Sequence, residues 1–274
     1  MRIALGVEYD GAPFQGWQAQ RHTTRTIQST LERALARVAA APVEVTAAGR
    51  TDAGVHAQGQ VVHFDSPVDR PEAAWVLGGN RYLPSTIAVR WARPVPDRFH
   101  ARFSARWRCY RYLIHDERAR SALMAGRVTW FHYPLDVVRM AAAGKMLVGE
   151  HDFSSFRGQE CQARSPIRTV HSLSVQRQGA LVVLEIQANA FLHHMVRNIA
   201  GVLMAIGKGD RPVSWAGDVL AQRNRMLGGV TAAPDGLYLT AVGYPREFGF
   251  PEPVPDLCAG FPDRWDQTAE FTAG

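Results

Sequence analysis

Residues 49–57 read Gly-Arg-Thr-Asp-Ala-Gly-Val-His-Ala, and this stretch is the most informative part of the 274-residue chain. It places the carboxylate of Asp52 between two glycines, with the guanidinium of Arg50 two residues earlier. Apolar, strand-like segments stand on both sides of it. A short glycine-rich loop between two strands holds its side chains on a rigid frame and leaves them open to a substrate. The nearby arginine favours the ionised form of Asp52, which suits a nucleophile or a general base.

Composition alone leaves a plainer interpretation of this loop open. Asp and Gly are ordinary turn residues, and an Asp–Arg pair in a turn is usually a surface salt bridge that contributes little to stability. The complete nonapeptide favours the chemical interpretation, because it resembles, residue for residue, the catalytic loop of the tRNA pseudouridine synthase A family. That resemblance implies that Asp52 is the essential nucleophile.

Outward from the loop, the first half of the chain alternates between strand and helix patterns. The helix prediction rests on Ile27, Leu31 and Leu35, which recur at the spacing of one helix face, with Thr26 as N-cap and Pro42 beyond the end. The predicted order is strand, helix, strand, strand, helix, strand, over about residues 2–9, 26–40, 43–48, 59–65, 71–80 and 86–94.

The second half repeats this order. The predicted elements lie at about residues 106–115, 136–148, 167–177, 181–189, 193–207 and 237–244, with an additional helix at about 214–223. The order is that of a ferredoxin-like unit. We therefore predict an α+β fold of two tandem ferredoxin-like, RRM-like units, whose sheets combine into one mostly antiparallel surface with an active-site cleft between them. This agrees with the pseudouridine synthase fold that the family resemblance implies.

The predicted domains are residues 1–105 with the Asp52 loop, residues 106–246, and a tail at 247–274. The tail is rich in proline and carries a net charge of −5. Because the whole chain carries +6, residues 1–246 carry a net charge of +11. We expect the tail to be flexible or draped over the surface, outside the catalytic fold. The basic body favours a polyanionic partner without choosing between kinds of polyanion.

A non-enzymatic alternative is a tandem RNA-binding module, because an RRM shares the predicted strand order. Its aromatic signature, Lys/Arg-Gly-Phe/Tyr-Gly/Ala-Phe-Val-x-Phe/Tyr, is absent from the chain. The strand at 106–115 nevertheless mixes bases and aromatics, and alternation places Arg106, Arg108, Tyr110 and Tyr112 on one face. Such a face can stack bases and neutralise phosphates.

The same strand is similar to a family segment in which the first tyrosine, here Tyr110, packs against the target uracil. Residues 189–198, Asn-Ala-Phe-Leu-His-His-Met-Val-Arg-Asn, match a family motif whose arginine pairs with the catalytic aspartate. The resemblance thus implies that Arg197 orients Asp52. The adjacent histidines lack a recognised metal-ligand spacing, so we predict no metal site. The resemblance covers about residues 3–246 and adds Leu237, near the active site, and His56 as expected substrate-binding side chains.

Other classes of protein are excluded or disfavoured. Three separated cysteines predict neither a disulfide framework nor a zinc site and fit a reducing cytoplasm. No apolar run approaches the roughly 18 residues of a membrane span, so we predict no membrane partner. We find no Rossmann fingerprint, P-loop or metal motif, and we expect no cofactor.

The family resemblance implies an isomerase that converts uridine to pseudouridine at positions 38, 39 and 40 of the tRNA anticodon stem-loop. Such a target must be flipped out of its helix, and Arg50 is placed to fill the vacancy. The resemblance also suggests a homodimer. A pseudouridine synthase of different RNA specificity stays open as an alternative, since Asp52 and Tyr110 would serve the same chemistry.

Overall fold

The first half of the chain forms one edge of a large β-sheet and packs its helices on one face. The structure is a computed structural model and describes residues 1–20, 23–159 and 161–251. The elements of this half are β1 (Arg2–Tyr9), α1 (Ile27–Ala39), β2 (Thr46–Ala47), β3 (His56–Asp65), a π-helical turn (Ala74–Gly78) that continues into α2 (Gly79–Tyr82), and β4 (Ile87–Val95).

The second half forms the other edge of the same sheet. Its elements are β5 (Trp107–His115), β6 (Thr129–Trp130), α3 (Val137–Lys145), β7 (Gly149–Asp152), β8 (Ile167–Gln178), β9 (Leu181–Ala188), α4 (Met195–Lys208), α5 (Trp215–Gln222) and β10 (Leu237–Gly243). Short 3-10 turns occur at Ser154–Phe156, Arg225–Leu227 and Arg246–Phe248.

The strand order joins the two halves through β10. Across the sheet the order is β4-β1-β3-β10-β5-β9-β8-β7, with β2 beside β3 and β6 beside β5. Strand β10 pairs parallel with β3 and antiparallel with β5. Within the second half, β10-β5-β9-β8 is the fourth-first-third-second order of a ferredoxin-like unit, and β4-β1-β3-β2 repeats it in the first. The predicted α+β fold with a mixed, mostly antiparallel sheet is confirmed, while the domain boundaries stay a prediction.

Local sequence signals set the ends of the helices. The hydroxyl of Thr26 accepts a hydrogen bond from the backbone N–H of Ser29 and caps α1, and Asp136 caps α3 by accepting from the N–H groups of Val138 and Arg139. These side chains satisfy backbone donors that a helix N-terminus leaves unpaired. Leu31 and Leu35 of α1 are fully buried, which confirms the predicted apolar face.

A second apolar cluster covers the opposite face of the sheet. Phe99 is fully buried there, and the rings of Phe248 and Phe250 lie 5.0 and 5.2 Å from it. Aromatic packing thus holds the chain to the sheet up to Phe250, beyond the predicted start of the tail at residue 247. The rest of the acidic tail lies outside the described residues.

Three predicted elements differ from the structure. The strand over 43–48 shrinks to Thr46–Ala47 because Val43 and Val45 are buried without pairing to a neighbouring strand. The helix over 71–80 contains the π-helical turn, and the helix over 193–207 begins only at Met195 because His194 has a left-handed backbone. In addition, residues 149–152, where no element is predicted, pair with β8 as edge strand β7.

Within the part of the chain that the structure describes, no helix combines the length and the apolar character that crossing a membrane requires.

Candidate active site

The loop between β2 and β3 carries Asp52, and the side chain of Gln60 hydrogen-bonds to the backbone of Gly49 near the start of this loop. Gln60 is fully buried; its Nε2 donates to the carbonyl oxygen of Gly49 at 2.7 Å, and its Oε1 accepts from the Gly49 N–H at 3.4 Å. The same Nε2 lies 3.3 Å from the Tyr9 hydroxyl, which contacts Thr51 Oγ1 at 2.8 Å. Burial raises the pKa of Tyr9 to about 12, so the phenol stays protonated and available to these bonds.

The segment before α1 supports the other side of the loop. The backbone N–H of Trp17 donates to the carbonyl oxygen of Thr51 at 2.9 Å. Gly16, with φ +88°, packs so closely on the loop that a Cβ there would lie 3.0 Å from the Thr51 carbonyl oxygen, and a Cβ at Gly11 would lie 2.0 Å from that of Val55. Glycine is required at these positions for close backbone approach. The loop is therefore held from both sides.

Arg197 reaches Asp52 from the first turn of α4. Its Nη1 donates to Asp52 Oδ2 at 3.1 Å, while its Nε donates to the carbonyl oxygen of Ala232 at 2.8 Å. The backbone N–H of Ala232 donates in return to the Arg197 carbonyl oxygen. The guanidinium is thus fixed by backbone on one side and by the carboxylate on the other. Asp52 keeps 24% of its side-chain surface exposed, so its carboxylate stays reachable.

Two histidines complete the surroundings of Asp52. His193 Nε2 lies 3.4 Å from Oδ1 and His194 Nε2 lies 3.2 Å from Oδ2. With Asp52 they are the one group among the described residues whose spacing could hold a metal ion. The two rings, however, stack at 3.8 Å, and each Nε2 lies against a different oxygen of Asp52 and not around a common point. The guanidinium of Arg197 would also repel a cation, and we therefore assign no metal to this cluster.

Tyr110 and Leu237 lie under the site on neighbouring strands. Tyr110 is 8% exposed and packs edge-on against Phe191 with ring centroids 5.0 Å apart. Burial raises its pKa, and the charge of Asp52 raises it further, so the phenol stays protonated. Leu237 opens β10 and is 5% exposed. Strand β10 pairs with the start of β3, directly after the Asp52 loop, and this register brings Leu237 toward the site.

Comparison with known proteins gives matches over most of the chain. A family model described as tRNA pseudouridine synthase matches residues 6–104 and 143–245, more than half of the chain. The chain belongs to the tRNA pseudouridine synthase family. It is 57% identical over 264 residues to the tRNA pseudouridine synthase A of Pseudomonas aeruginosa, covering 96% of this chain and 93% of the relative. It is 61% identical over 251 residues to that of Nitrosococcus oceani, covering 92% and 96%.

His56 lies behind the tRNA pseudouridine synthase site. It is 2% exposed; its Nδ1 accepts from the Gly11 N–H at 3.1 Å, and its Nε2 lies 3.1 Å from the carbonyl oxygen of Asp235. Burial lowers the pKa of His56, so the ring is neutral and donates to Asp235 through Nε2. The residue thus ties the β1 turn and the loop before β10 to the catalytic loop. Direct contact of His56 with a substrate stays a prediction and would require the ring to be uncovered.

The two arginines singled out in the sequence have different surroundings. Arg50 is exposed at the tip of the loop, and no acidic group of the described residues lies within ion-pair distance of it. Arg108 instead turns inward, and its guanidinium donates to the carbonyl oxygens of Ala48, Arg102 and Asn189 at 3.1, 2.7 and 2.9 Å. The idea that the Arg108 face neutralises phosphate is therefore wrong for Arg108, because backbone oxygens already occupy its donors.

Sequence reasoning missed the residues that hold Arg197 in place. Asn198 is buried beside it and donates to the carbonyl oxygen of Phe156 at 2.7 Å. The Oδ1 of Asn198 accepts from Arg225 at 3.0 Å and from Thr231 at 2.7 Å. This network ties the start of α4 to the loop whose Ala232 holds Arg197. The only local signal was an asparagine inside an apolar helix, which costs stability unless its amide is paired.

Proposed function

We propose that this protein isomerises uridine to pseudouridine in tRNA, at positions 38, 39 and 40 of the anticodon stem-loop. The observation that carries the chemistry is a single reachable carboxylate, Asp52, paired with Arg197 at 3.1 Å. The family and the names of the relatives support tRNA as the substrate. The anticodon positions rest on the motif resemblance of residues 49–57, 106–114 and 189–198.

The proposed reaction balances without a cofactor. The N1–C1′ glycosidic bond breaks, the uracil turns, and C5 forms a bond to C1′. C5 loses one proton and N1 gains one, so substrate and product have the same composition. The protein must supply one group close to the glycosidic bond and a place for the free base, and Asp52 with the adjoining Tyr110 and Leu237 suits both needs.

The roles of the surrounding residues follow from their positions. Asp52 acts as the nucleophile and Arg197 orients it. Arg50, exposed on the same loop, fills the space that the flipped nucleotide leaves, since extraction costs a few kcal/mol of stacking and pairing. Tyr110 and Leu237 provide apolar surface against the extracted uracil.

The decisive experiment measures tritium release from unmodified tRNA labelled at C5 of uridine, with no added cofactor, for wild type and Asp52→Asn. We expect release by wild type and a loss on the order of 10³-fold or more for Asp52→Asn, because the amide is a poor nucleophile. The affinity for tRNA should stay within about threefold, because replacing the Asp52 carboxylate by an amide removes no basic side chain that contacts phosphate. Turnover by Asp52→Asn near the wild-type rate would refute the assignment.

Two alternatives are separated by related measurements. A synthase of different RNA specificity would act on tRNAs that carry a single uridine outside 38, 39 and 40, and comparing such substrates decides between the two. A non-catalytic RNA-binding module would bind tRNA tightly and release no tritium. Family membership and the Asp52–Arg197 pair both disfavour the second alternative.

The resemblance also supports a homodimer with one tRNA crossing both subunits. That arrangement would let the shape of the tRNA, rather than its base sequence, select the target. Sedimentation at working concentration tests this point, and a monomer would remove the dimer without affecting the chemistry.

A further inference from the structure

The histidine pair at the start of α4 contacts both oxygens of the reacting carboxylate. The contacts are unequal: among the described residues, Oδ2 lies 3.1 Å from Arg197 Nη1 and 3.2 Å from His194 Nε2, whereas Oδ1 has one contact, with His193 Nε2 at 3.4 Å. One oxygen therefore has two close nitrogen atoms, and the other has one at a longer distance. The motif resemblance gave a role to Arg197 and none to these histidines.

The backbone at His194 has an uncommon conformation that accompanies this arrangement. Its φ is +62°, in the left-handed region, which residues with a side chain rarely adopt. In an extended chain, neighbouring side chains point to opposite sides. Here the rings of His193 and His194 instead stack at 3.8 Å and both turn their Nε2 atoms to Asp52. Unfavourable backbone conformations that persist in folded proteins cluster at functional sites.

The hydrogen-bonding pattern indicates which nitrogens carry protons. His193 Nδ1 is buried and has no hydrogen-bond partner among the described residues, so a proton there would have no acceptor. Its proton therefore lies on Nε2, toward Asp52. Burial lowers the pKa of His194; Asp52 raises it, and His193, Arg197 and Arg225 lower it again, so the net direction is down. A neutral ring has one N–H group, and a carboxylate neighbour draws it to Nε2.

We propose that His193 and His194 are positioning residues for Asp52, each donating an Nε2–H to a different carboxylate oxygen. His194 and Arg197 fix Oδ2, and Oδ1, which has the weaker contact, is the oxygen left available to react. Because each Nε2 lies against a different oxygen of Asp52, the pair suits the two oxygens of one carboxylate better than a single metal ion. The inference rests on the proposed function in taking Asp52 as the reacting group.

The test compares His194→Gln with His194→Leu. A glutamine amide places an N–H close to the position of the imidazole Nε2 but does not titrate, whereas leucine fills similar space without a donor. Both variants share the left-handed backbone cost, so their difference reports the hydrogen bond. We expect the single-turnover rate to fall about 10- to 100-fold in His194→Leu, the effect of a misplaced catalytic group, and to recover to within about threefold of wild type in His194→Gln. The Kd for tRNA should change less than about threefold in both variants.

His193 and an unrelated histidine provide the comparisons. His193→Leu should reduce the rate less than His194→Leu, because its contact is longer and Oδ1 must be released for reaction. His171→Gln, an exposed position on β8, should match wild type. Wild-type turnover by His194→Leu would overturn the proposal. So would a defect in His194→Gln as large as in His194→Leu, because it would show that proton transfer, and not a hydrogen bond, is needed.

A second measurement does not depend on activity. Nitrogen NMR of histidine-labelled free enzyme at pH 7.5, assigned with the single variants, should show a proton on Nε2 of both His193 and His194. Asp52→Asn should lower the titration midpoint of His194, because the carboxylate raises it. A proton on Nδ1 of both rings would overturn the proposal even in an inactive preparation. An inactive wild type with the Nε2–H tautomers would instead count against the proposed function alone.

Discussion

At the scale of single residues, the Asp52–Arg197 pair matters for geometry more than for stability. The side chains are 24% and 14% exposed, and partly exposed pairs contribute little to the free energy of unfolding. What distinguishes Arg197 is its second bond, from Nε to the carbonyl oxygen of Ala232. A planar guanidinium can make both bonds at once in a fixed geometry.

Replacing Arg197 with Lys tests this point. The ammonium keeps the charge but loses the fixed fork, so it cannot hold Ala232 and Asp52 together in one orientation. We expect the single-turnover rate to fall about 100-fold, the scale of a misplacement near 1 Å, with the Kd for tRNA within about threefold. Arg33→Lys, exposed on α1, serves as the control. An Arg197→Lys enzyme with the wild-type rate would show that charge alone suffices.

At the scale of elements, the catalytic loop depends on the hydrogen bonds of a side chain from the strand that follows it. Gln60 lies on β3 and pairs with both backbone groups of Gly49, eleven residues earlier. Because the Gln60 side chain is buried, its removal leaves the N–H and carbonyl groups of Gly49 without their partner in a place that water reaches poorly. The loop would then keep its sequence and lose its fixed position.

We expect Gln60→Ala to lower the free energy of unfolding by about 1–3 kcal/mol and to slow turnover as well. The matched control is Gln58→Ala on the same strand. The Nε2 of Gln58 is buried with no hydrogen-bond partner in the described part of the chain, so removing it should change stability by less than about 0.5 kcal/mol. Urea denaturation measures the free energy of unfolding of both variants. Equal losses in Gln58→Ala and Gln60→Ala would contradict the role of the Gln60–Gly49 hydrogen bonds.

At the scale of the whole molecule, β10 makes the two halves one sheet. It lies between β3 and β5, so the loop that precedes it, with Ala232 and Asp235, is brought against the catalytic loop from the other half of the chain. The hydroxyl of Tyr112 on β5 donates to the carbonyl oxygen of Ala233 and supports the same loop. The site therefore depends on the assembly of both halves.

The stability of the whole fold should fall in mild acid. Burial lowers the pKa of His63 to about 4, from its usual value of 6.5. The unfolded chain then binds the proton more readily, so the stability present above pH 6.5 is lost as the pH falls toward 4. Burial also lowers the pKa values of His56, His100 and His194, which act in the same direction.

The variant His63→Asn isolates this contribution. Its amide oxygen can still accept from the N–H of Ala101, as the Nδ1 of His63 does at 3.2 Å, but it does not titrate. We expect the drop in Tm between pH 7 and pH 4.5 to be smaller than in wild type, while the exposed control His171→Asn keeps the full drop. Identical drops in wild type and His63→Asn would rule out His63 as a source of acid sensitivity.

Local patterns in the sequence predicted the features that depend on residues close together in the chain. The cap at Thr26 and the apolar face of α1 each depend on residues a few positions apart, and the structure contains both. Predictions failed where the conformation of a residue depends on groups that are distant in the sequence. Val43 and Val45 are buried without strand partners, and the guanidinium of Arg108 donates to four backbone carbonyl oxygens, at residues 48, 102, 105 and 189.

The order of the elements, the glycine-rich loop and the place of Asp52 in it can be read from the sequence, because they follow from spacing and side-chain type. The surroundings of that carboxylate depend on the folded chain: the family resemblance implied the pairing with Arg197, and no local spacing did. Arg197 is separated from Asp52 by 145 residues, and the histidine pair reaches it through the left-handed backbone at His194. Contacts at such separations depend on strand order, and the position of β10 between β3 and β5 is a property of the folded sheet that no local pattern carries.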